Sequence, residues 1–366
     1  MFSESRANNR HFRSPRSIFI FPFLLVLFSS FFLASFCFVP KSLAAERIVC
    51  ASYPVWLFAR YLNYGRDYWD VDLLTNPATG CPHEFAPTPK DLERLTQTKV
   101  LVENGLNLES YLDRALKVAP PDLELIDASS GLPTLSLIWG RIDFDGSMSA
   151  LIEGRAPSSI PNPHIFLSPA LAKGMVANIA ATLSRLDPSG AEHYAQRLAS
   201  WESEMIILEE NIANFRETRR GYKIVTSHGF MDYLAHDLGL VILADISPLG
   251  SEAAPSAARI SGLGSLIRNE KISAIILDPE ADPAVARVLS AETKISAAIL
   301  DASASGPADP PIDFYQRVIK EDIDLLSQLL PANVSPPLLP PGRNPPPDSL
   351  VGGAVPPSPA LEADGR

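Results

Sequence analysis

The chain has 366 residues, 46% of them hydrophobic, a net charge of −11 and three cysteines. An acidic surface of this kind repels nucleic acid and is not drawn to anionic membranes, and so few cysteines exclude a disulfide-dense scaffold. The length suffices for two domains of ordinary size.

Residues 1–45 read as a signal peptide or N-terminal anchor. Arg6, Arg10, Arg13 and Arg16 form a basic start, and an apolar run follows from Ile18 to Val39. Lys41-Ser42-Leu43-Ala44-Ala45 then offers small residues for cleavage. The apolar run approaches the ~20 residues that span a bilayer, so retention as an anchor is the alternative to cleavage. Bulky Phe36 before Cys37 disfavours a lipid anchor there. In either case the remainder is exported, to the periplasm or the outer face of the cytoplasmic membrane. Export permits disulfides. Cys50 and Cys81 lie near the ends of adjacent expected strands and are expected to bridge, free thiols being the alternative.

Short apolar runs then alternate with helical patterns. Arg47–Ser52, Val71–Leu74, Lys99–Asn104 and Leu123–Ser129 read as strands of a first lobe, 46–187. A helix before the third strand has Thr88 as its cap, Pro89 in its first turn and Asp91 three residues after the cap. Ser168–Asp187 reads as an amphipathic helix. A long helix spans 188–217; its stretch from Pro188 to Phe215 is on the order of 35–40 Å long and would limit hinge motion between lobes. Tyr222–Ser227, Val241–Ser247, Ile272–Asp278 and Ile295–Asp301 are strands of a second lobe, 218–330, with helices at Met231–Leu238, Ser256–Asn269 and Pro283–Thr293. Nearly continuous apolar strands separated by helices predict parallel sheets covered on both faces. The fold class is therefore α/β, with two such lobes joined by one rigid helix. From 331 to 366 the chain is rich in Pro and Gly without apolar period, the composition of a disordered tail.

Open α/β sheets bind ligands at the carboxyl ends of their strands, and that rule sorts the six histidines. His83 follows the second strand, in "CPHEF". His164 enters the first long helix, in "PNPHIFLSP". His228 directly follows "YKIVTS", and Asp301 closes "ISAAILD". Singly, each is an ordinary loop residue or, for Asp301, a helix cap. Together they are three imidazoles and one carboxylate placed where loops from two lobes meet. His11 lies in the leader, and His193 and His236 lie within helices as packed or solvent-facing residues.

"CPHEFAPTPKDLERL", "NPHIFLSPALAKGMVANIAATLSRLDPSGAEHYAQRL", "KIVTSHGFMDYLAHDLGL" and "APSAARISGLGSLIRNEKISAIILDPE" resemble the metal-binding receptors of ABC importers for zinc and manganese, solute-binding family 9 or cluster A-I. The resemblance covers Arg47 to Leu330. It implies a metal held between two lobes by His83, His164, His228 and Asp301, an ABC importer permease as partner, a monomeric receptor and no enzymatic activity. The sequence departs from the pattern in three places. Asn162 stands where Asp is more common, Phe166 where Trp is, and Gly229 where Asp often follows the third histidine. The segment 131–162 lacks the histidine-rich loop of many zinc receptors.

Three imidazoles and one carboxylate suit Zn2+, whereas Mn2+ prefers oxygen-rich surroundings and commonly meets a carboxylate at the position of His228 in this family. Zn2+ is the expected ligand and Mn2+ the alternative. Asp278 and Glu280 are candidates to hydrogen-bond a ligating ring, solvated loop acids being the plain alternative. A secreted zinc hydrolase would keep an open metal position for water, with Asp301 as base, but the chain has no HExxH. A thiol-dependent activity of Cys50 and Cys81 lacks a C-x-x-C spacing.

Overall fold

The expected apolar runs become eight short strands in a computed structural model, which describes residues 46–66, 68–78, 80, 85–136, 160–247 and 255–332. The expected leader, Cys81, His83 and the tail from 333 lie outside those residues. The first sheet holds β1 (Glu46–Cys50), β2 (Trp69–Leu73), β3 (Val100–Glu103) and β4 (Glu124–Asp127), in the order β2-β1-β3-β4. The second holds β5 (Lys223–Thr226), β6 (Val241–Asp245), β7 (Ala274–Leu277) and β8 (Ser296–Ile299), in the order β6-β5-β7-β8. Every pairing is parallel; Ile48 is level with Val71 and Val100, and Ile224 with Ile242 and Ala274. Both sheets therefore reverse their winding at the same place, between β1 and β3 and between β5 and β7. That switch opens a crevice at the carboxyl ends, and His228 and Asp278 flank it in the second lobe.

Burial follows position in the sheet. Central β7 is buried along its whole length, as a strand covered on both faces requires. Edge strand β8 departs from the expectation, with Ser296, Ala297 and Ile299 exposed. Ser296 and Ala297 offer a helix little area to pack against, whereas Ile299 is a large side chain left 51% exposed.

The helices begin where local chemistry allows. In α1 (Tyr53–Asn63) Pro54 occupies the first turn, and all but Arg60 and Asn63 are buried. In α2 (Pro89–Thr96) the expected capping box is present. Thr88 Oγ1 accepts from the Asp91 N–H at 3.3 Å, and Asp91 accepts from the Thr88 N–H at 2.9 Å. After short α3 (Leu112–Ala115) and the 3-10 turn Ile165–Leu167 comes α4 (Pro169–Leu186), capped by the Ser168 hydroxyl. The long helix α5 (Ala191–Arg219) has 29 residues and starts after a 3-10 turn at Pro188–Gly190; at 1.5 Å per residue it is ~43 Å long. The second lobe carries α6 (Asp232–Leu238), α7 (Ala257–Glu270), α8 (Pro283–Thr293) and α9 (Phe314–Leu329).

One face of α5 joins the lobes. Trp201 packs edge-on against Phe58 and Tyr61 of α1, with ring centroids 5.2 and 4.8 Å away, and at a tilt of 33° against Tyr315 of α9 at 5.2 Å. Glu204 of α5 accepts from the Tyr61 hydroxyl at 2.7 Å and from the Gln316 amide. Residues of both lobes thus belong to one continuous core. Among the described residues no helix is long and apolar enough to cross a membrane.

Candidate metal centre

The structure brings two of the expected ligands together from different segments. His164 precedes the 3-10 turn before α4, and His228 follows β5; their ring centroids lie 5.4 Å apart. His164 is 1% exposed. Its Nδ1 is 2.9 Å from Asn162 Oδ1, which also accepts from the His164 backbone N–H at 2.9 Å. His228 turns Nδ1 toward Asp278 Oδ1 at 3.4 Å. A ring nitrogen committed to an oxygen partner leaves Nε2 as the lone-pair donor, the usual way a protein prepares a metal-binding imidazole.

Asp278 is itself held. Ser227 Oγ donates to its carboxylate and accepts from its backbone N–H at 3.2 Å. Burial raises the Asp278 carboxyl, but His228, Ser227 and Glu280 outweigh burial and hold it below the ordinary carboxylate range. Glu280 hydrogen-bonds Asp278 and lies beside Gly80, where a Cβ would come within 1.9 Å of its carboxyl carbon. A side chain at position 80 would have to push the flexible Glu280 carboxylate aside. Gly80 thus lies beside Glu280 of the second lobe; His83 itself lies outside the described residues.

Asp301 follows β8. Its Oδ1 accepts from the Ser303 N–H at 2.8 Å, and its own N–H donates to Asp322 Oδ1 of α9 at 3.0 Å. Burial raises the Asp301 carboxyl; the Ser303 N–H opposes that and the charge of Glu321 adds to it. Burial also pushes Asp322 up to about 8. The segment after Asp301 crosses to the first lobe. Gly306 N–H donates to the Pro77 carbonyl at 2.9 Å, and Tyr53 Oη donates to the Pro307 carbonyl at 2.9 Å. Arg60 pairs with Asp309 at 3.0 Å and with the Pro310 carbonyl at 3.3 Å. Among the described residues no three His, Cys, Asp or Glu side chains are arranged to hold a metal ion. His164 and His228 thus form a pair, and Asp301 stands outside any such trio.

The remaining singled-out residues have other surroundings. His193 sits 3.2 Å from the Leu62 carbonyl, and exposed His236 lies 3.3 Å from Asp237. Among the described residues Cys50, at the end of β1, is a buried free thiol whose pKa burial pushes up. Cys81 lies outside the described residues.

The first lobe contributes a support that no motif announced. Glu109 is 4% exposed and accepts from Ser52 Oγ at 2.5 Å and from the Asn104 N–H at 3.0 Å. Asn104 Nδ2 donates to the Pro163 carbonyl at 3.0 Å, one residue before His164. Burial pushes Glu109 up to about 8, against the hydrogen bonds from Ser52 and Asn104. A folded-state pKa raised above the ordinary value gives stability that is complete at low pH and is lost as pH rises through the folded value. Glu109 should accordingly contribute roughly 3–5 kcal/mol to a fall in stability between pH 5 and pH 9. Glu109→Gln, which keeps the neutral form, should flatten that fall in urea titrations. An unchanged pH dependence in the variant would show that Glu109 is already ionised in the fold.

The profile of the family described as ZnuA, zinc-uptake complex component A periplasmic, matches residues 48–329. The zinc-binding lipoprotein AdcA of Streptococcus pneumoniae is 28% identical over 254 residues, which are 69% of this chain and 49% of that protein. The chain thus spans about half the length of that relative. The high-affinity zinc uptake system protein ZnuA of Bacillus subtilis is 26% identical over 293 residues, 77% of this chain and 87% of that one. The crystal structure of the Zn(II)-bound ZnuA-like domain of Streptococcus pneumoniae AdcA superposes with a TM-score of 0.63 at 25% identity, covering 78% of this chain and 99% of the domain. The family match runs from β1 to the end of α9 and takes in both sheets, the long helix and the His164–His228 pair: the chain belongs to the ZnuA family.

Proposed function

We propose that the chain is an extracytoplasmic receptor that captures Zn2+ and delivers it to the membrane permease of an ABC importer. The observation that carries this reading is the approach of buried His164 to half-buried His228, each ring oriented by an oxygen partner, in a chain of the ZnuA family. Zn2+ is cargo here, held for transfer. His83 and Asp301 complete the proposed ligand set, with Asp278 and Glu280 orienting it from behind. Borderline-soft Zn2+ suits imidazole-rich sites at ~2.0–2.2 Å, while Mn2+ favours more oxygen donors. The zinc-binding name of the pneumococcal relative and the zinc-uptake name of the Bacillus relative support the same cargo. The receptor acts as a monomer on the outer side of the cytoplasmic membrane, without catalysis.

Chelator-competition titration of the protein lacking residues 1–45 should give one tightly held Zn2+ per chain. His83→Ala should weaken that binding by at least about a hundredfold, one ligand's share of the roughly 10–16 kcal/mol of a structural zinc site. Absence of tight zinc binding by the parent, or an His83→Ala variant equal to it, would sink the reading.

A further inference from the structure

Asn162 is fully buried, and each of its polar groups has a partner. Its backbone N–H donates to the Leu135 carbonyl at 2.7 Å, and its carbonyl accepts from Tyr233 Oη at 2.9 Å. Its side-chain Nδ2 donates to the Gly229 carbonyl at 2.7 Å and to Asp232 Oδ2 at 2.9 Å. A backbone carbonyl and an ionised carboxylate accept hydrogen bonds and donate none. The amide face toward them must therefore be the NH2, which removes the usual ambiguity of an amide's orientation. Oδ1 is left facing His164, where it meets the backbone N–H and ring Nδ1, each at 2.9 Å. An amide oxygen has no proton to give, so the proton between it and the ring sits on Nδ1.

We propose that Asn162 is a positioning residue that fixes the Nδ1–H tautomer of His164 and ties it to the His228 segment, so that this half of the zinc site is assembled before the metal arrives. Gly229, whose carbonyl Asn162 holds, is the residue next to His228, and Asp232 opens α6 in the second lobe. A single side chain thus spans the segments of two proposed ligands. The arrangement also explains why this chain carries an amide at 162. An aspartate there would set a carboxylate against Asp232 and the Gly229 carbonyl, with no donor between them. Asp232 selects Asn162, and Asn162 in turn selects the metal-binding nitrogen of His164.

The proposal rests on the zinc-receptor reading for its effect on affinity, though not for its effect on the tautomer, and the experiment separates the two. Long-range 1H–15N spectra of the metal-free parent should show His164 protonated on Nδ1, and Asn162→Ala should move His164 toward the Nε2–H form. Zinc affinity should fall about 10–100-fold in Asn162→Ala and Asn162→Asp, the range for residues that orient a ligating ring. The double variant Asn162→Asp/Asp232→Asn restores a donor opposite the carboxylate, though not toward the Gly229 carbonyl, and should bind zinc more tightly than Asn162→Asp alone, which no general damage to packing would do. An Nε2–H tautomer in the parent overturns the proposal, even if every variant at position 162 fails to fold. Unchanged tautomer and affinity in a folded Asn162→Ala overturn it as well. A parent with the Nδ1–H tautomer but no zinc binding would support the positioning role and overturn the receptor reading instead.

Discussion

His228→Ala is expected to weaken zinc binding by more than about a hundredfold, with the metal-free protein still folded. A structural zinc site is worth roughly 10–16 kcal/mol, so each of four ligands carries about 3 kcal/mol, or a factor of ~10² in affinity. The loss should exceed that share, because Asp278 would lose its imidazole partner while remaining 4% exposed. Ser227 and Glu280 still hydrogen-bond the acid, so the fold has no reason to fail. Chelator competition paired with thermal melts of the metal-free protein measures both effects. His236→Ala is the matched control, since that ring is exposed beside Asp237 and takes no part in the site. Zinc affinity within threefold of the parent in His228→Ala would remove this residue from the ligand set.

Trp201→Ala should produce the largest loss of stability among single substitutions considered. The ring is 1% exposed and touches Phe58 and Tyr61 of the first lobe and Tyr315 of the second. Removing a buried tryptophan typically costs ~3–5 kcal/mol through lost transfer energy and the cavity left behind. For a chain of this size that is a drop in melting temperature on the order of 10 °C. Because the ring joins the lobes, unfolding should remain a single transition if the remaining core holds them together. Two separated transitions would mean that Trp201 is the main tie, and an unchanged melting temperature would contradict its place in the core.

Most strands were legible as short aliphatic runs bounded by polar or glycine-containing turns, the look that burial on both faces imposes on central β7; β2, "WDVDL", was legible only from Val71 onward, because its two aspartates break the run. Helix α2 was legible through Thr88 and Asp91, whose spacing is a local signal. Helix α1 escaped detection because "YPVWLFARYLN" is apolar on nearly every side, so burial erased the period that marks a helix on a surface. His164 and His228 could be placed by the rule that ligands gather at strand ends. The residues that orient them were harder to see. Asp278 was visible as a strand-end acid. Asn162 stood out only as a departure from the family's usual aspartate, and its reason lies in Asp232, seventy residues onward. Ser52, Asn104 and Glu109 form their support through contacts that only the folded chain brings together, and no short motif encodes them.

The stretch beyond β8 answers to two masters. Asp301 is pinned to α9 of its own lobe through Asp322, while Gly306, Pro307, Asp309 and Pro310 are fastened to the opposite lobe by Pro77, Tyr53 and Arg60. The proposed oxygen donor therefore rides on a bridge, whereas the two imidazoles travel together through Asn162. A transporter that nudged one lobe past the other by a fraction of an ångström would shift the carboxylate relative to the nitrogens and loosen the cation from one side, with both sheets left as they stand.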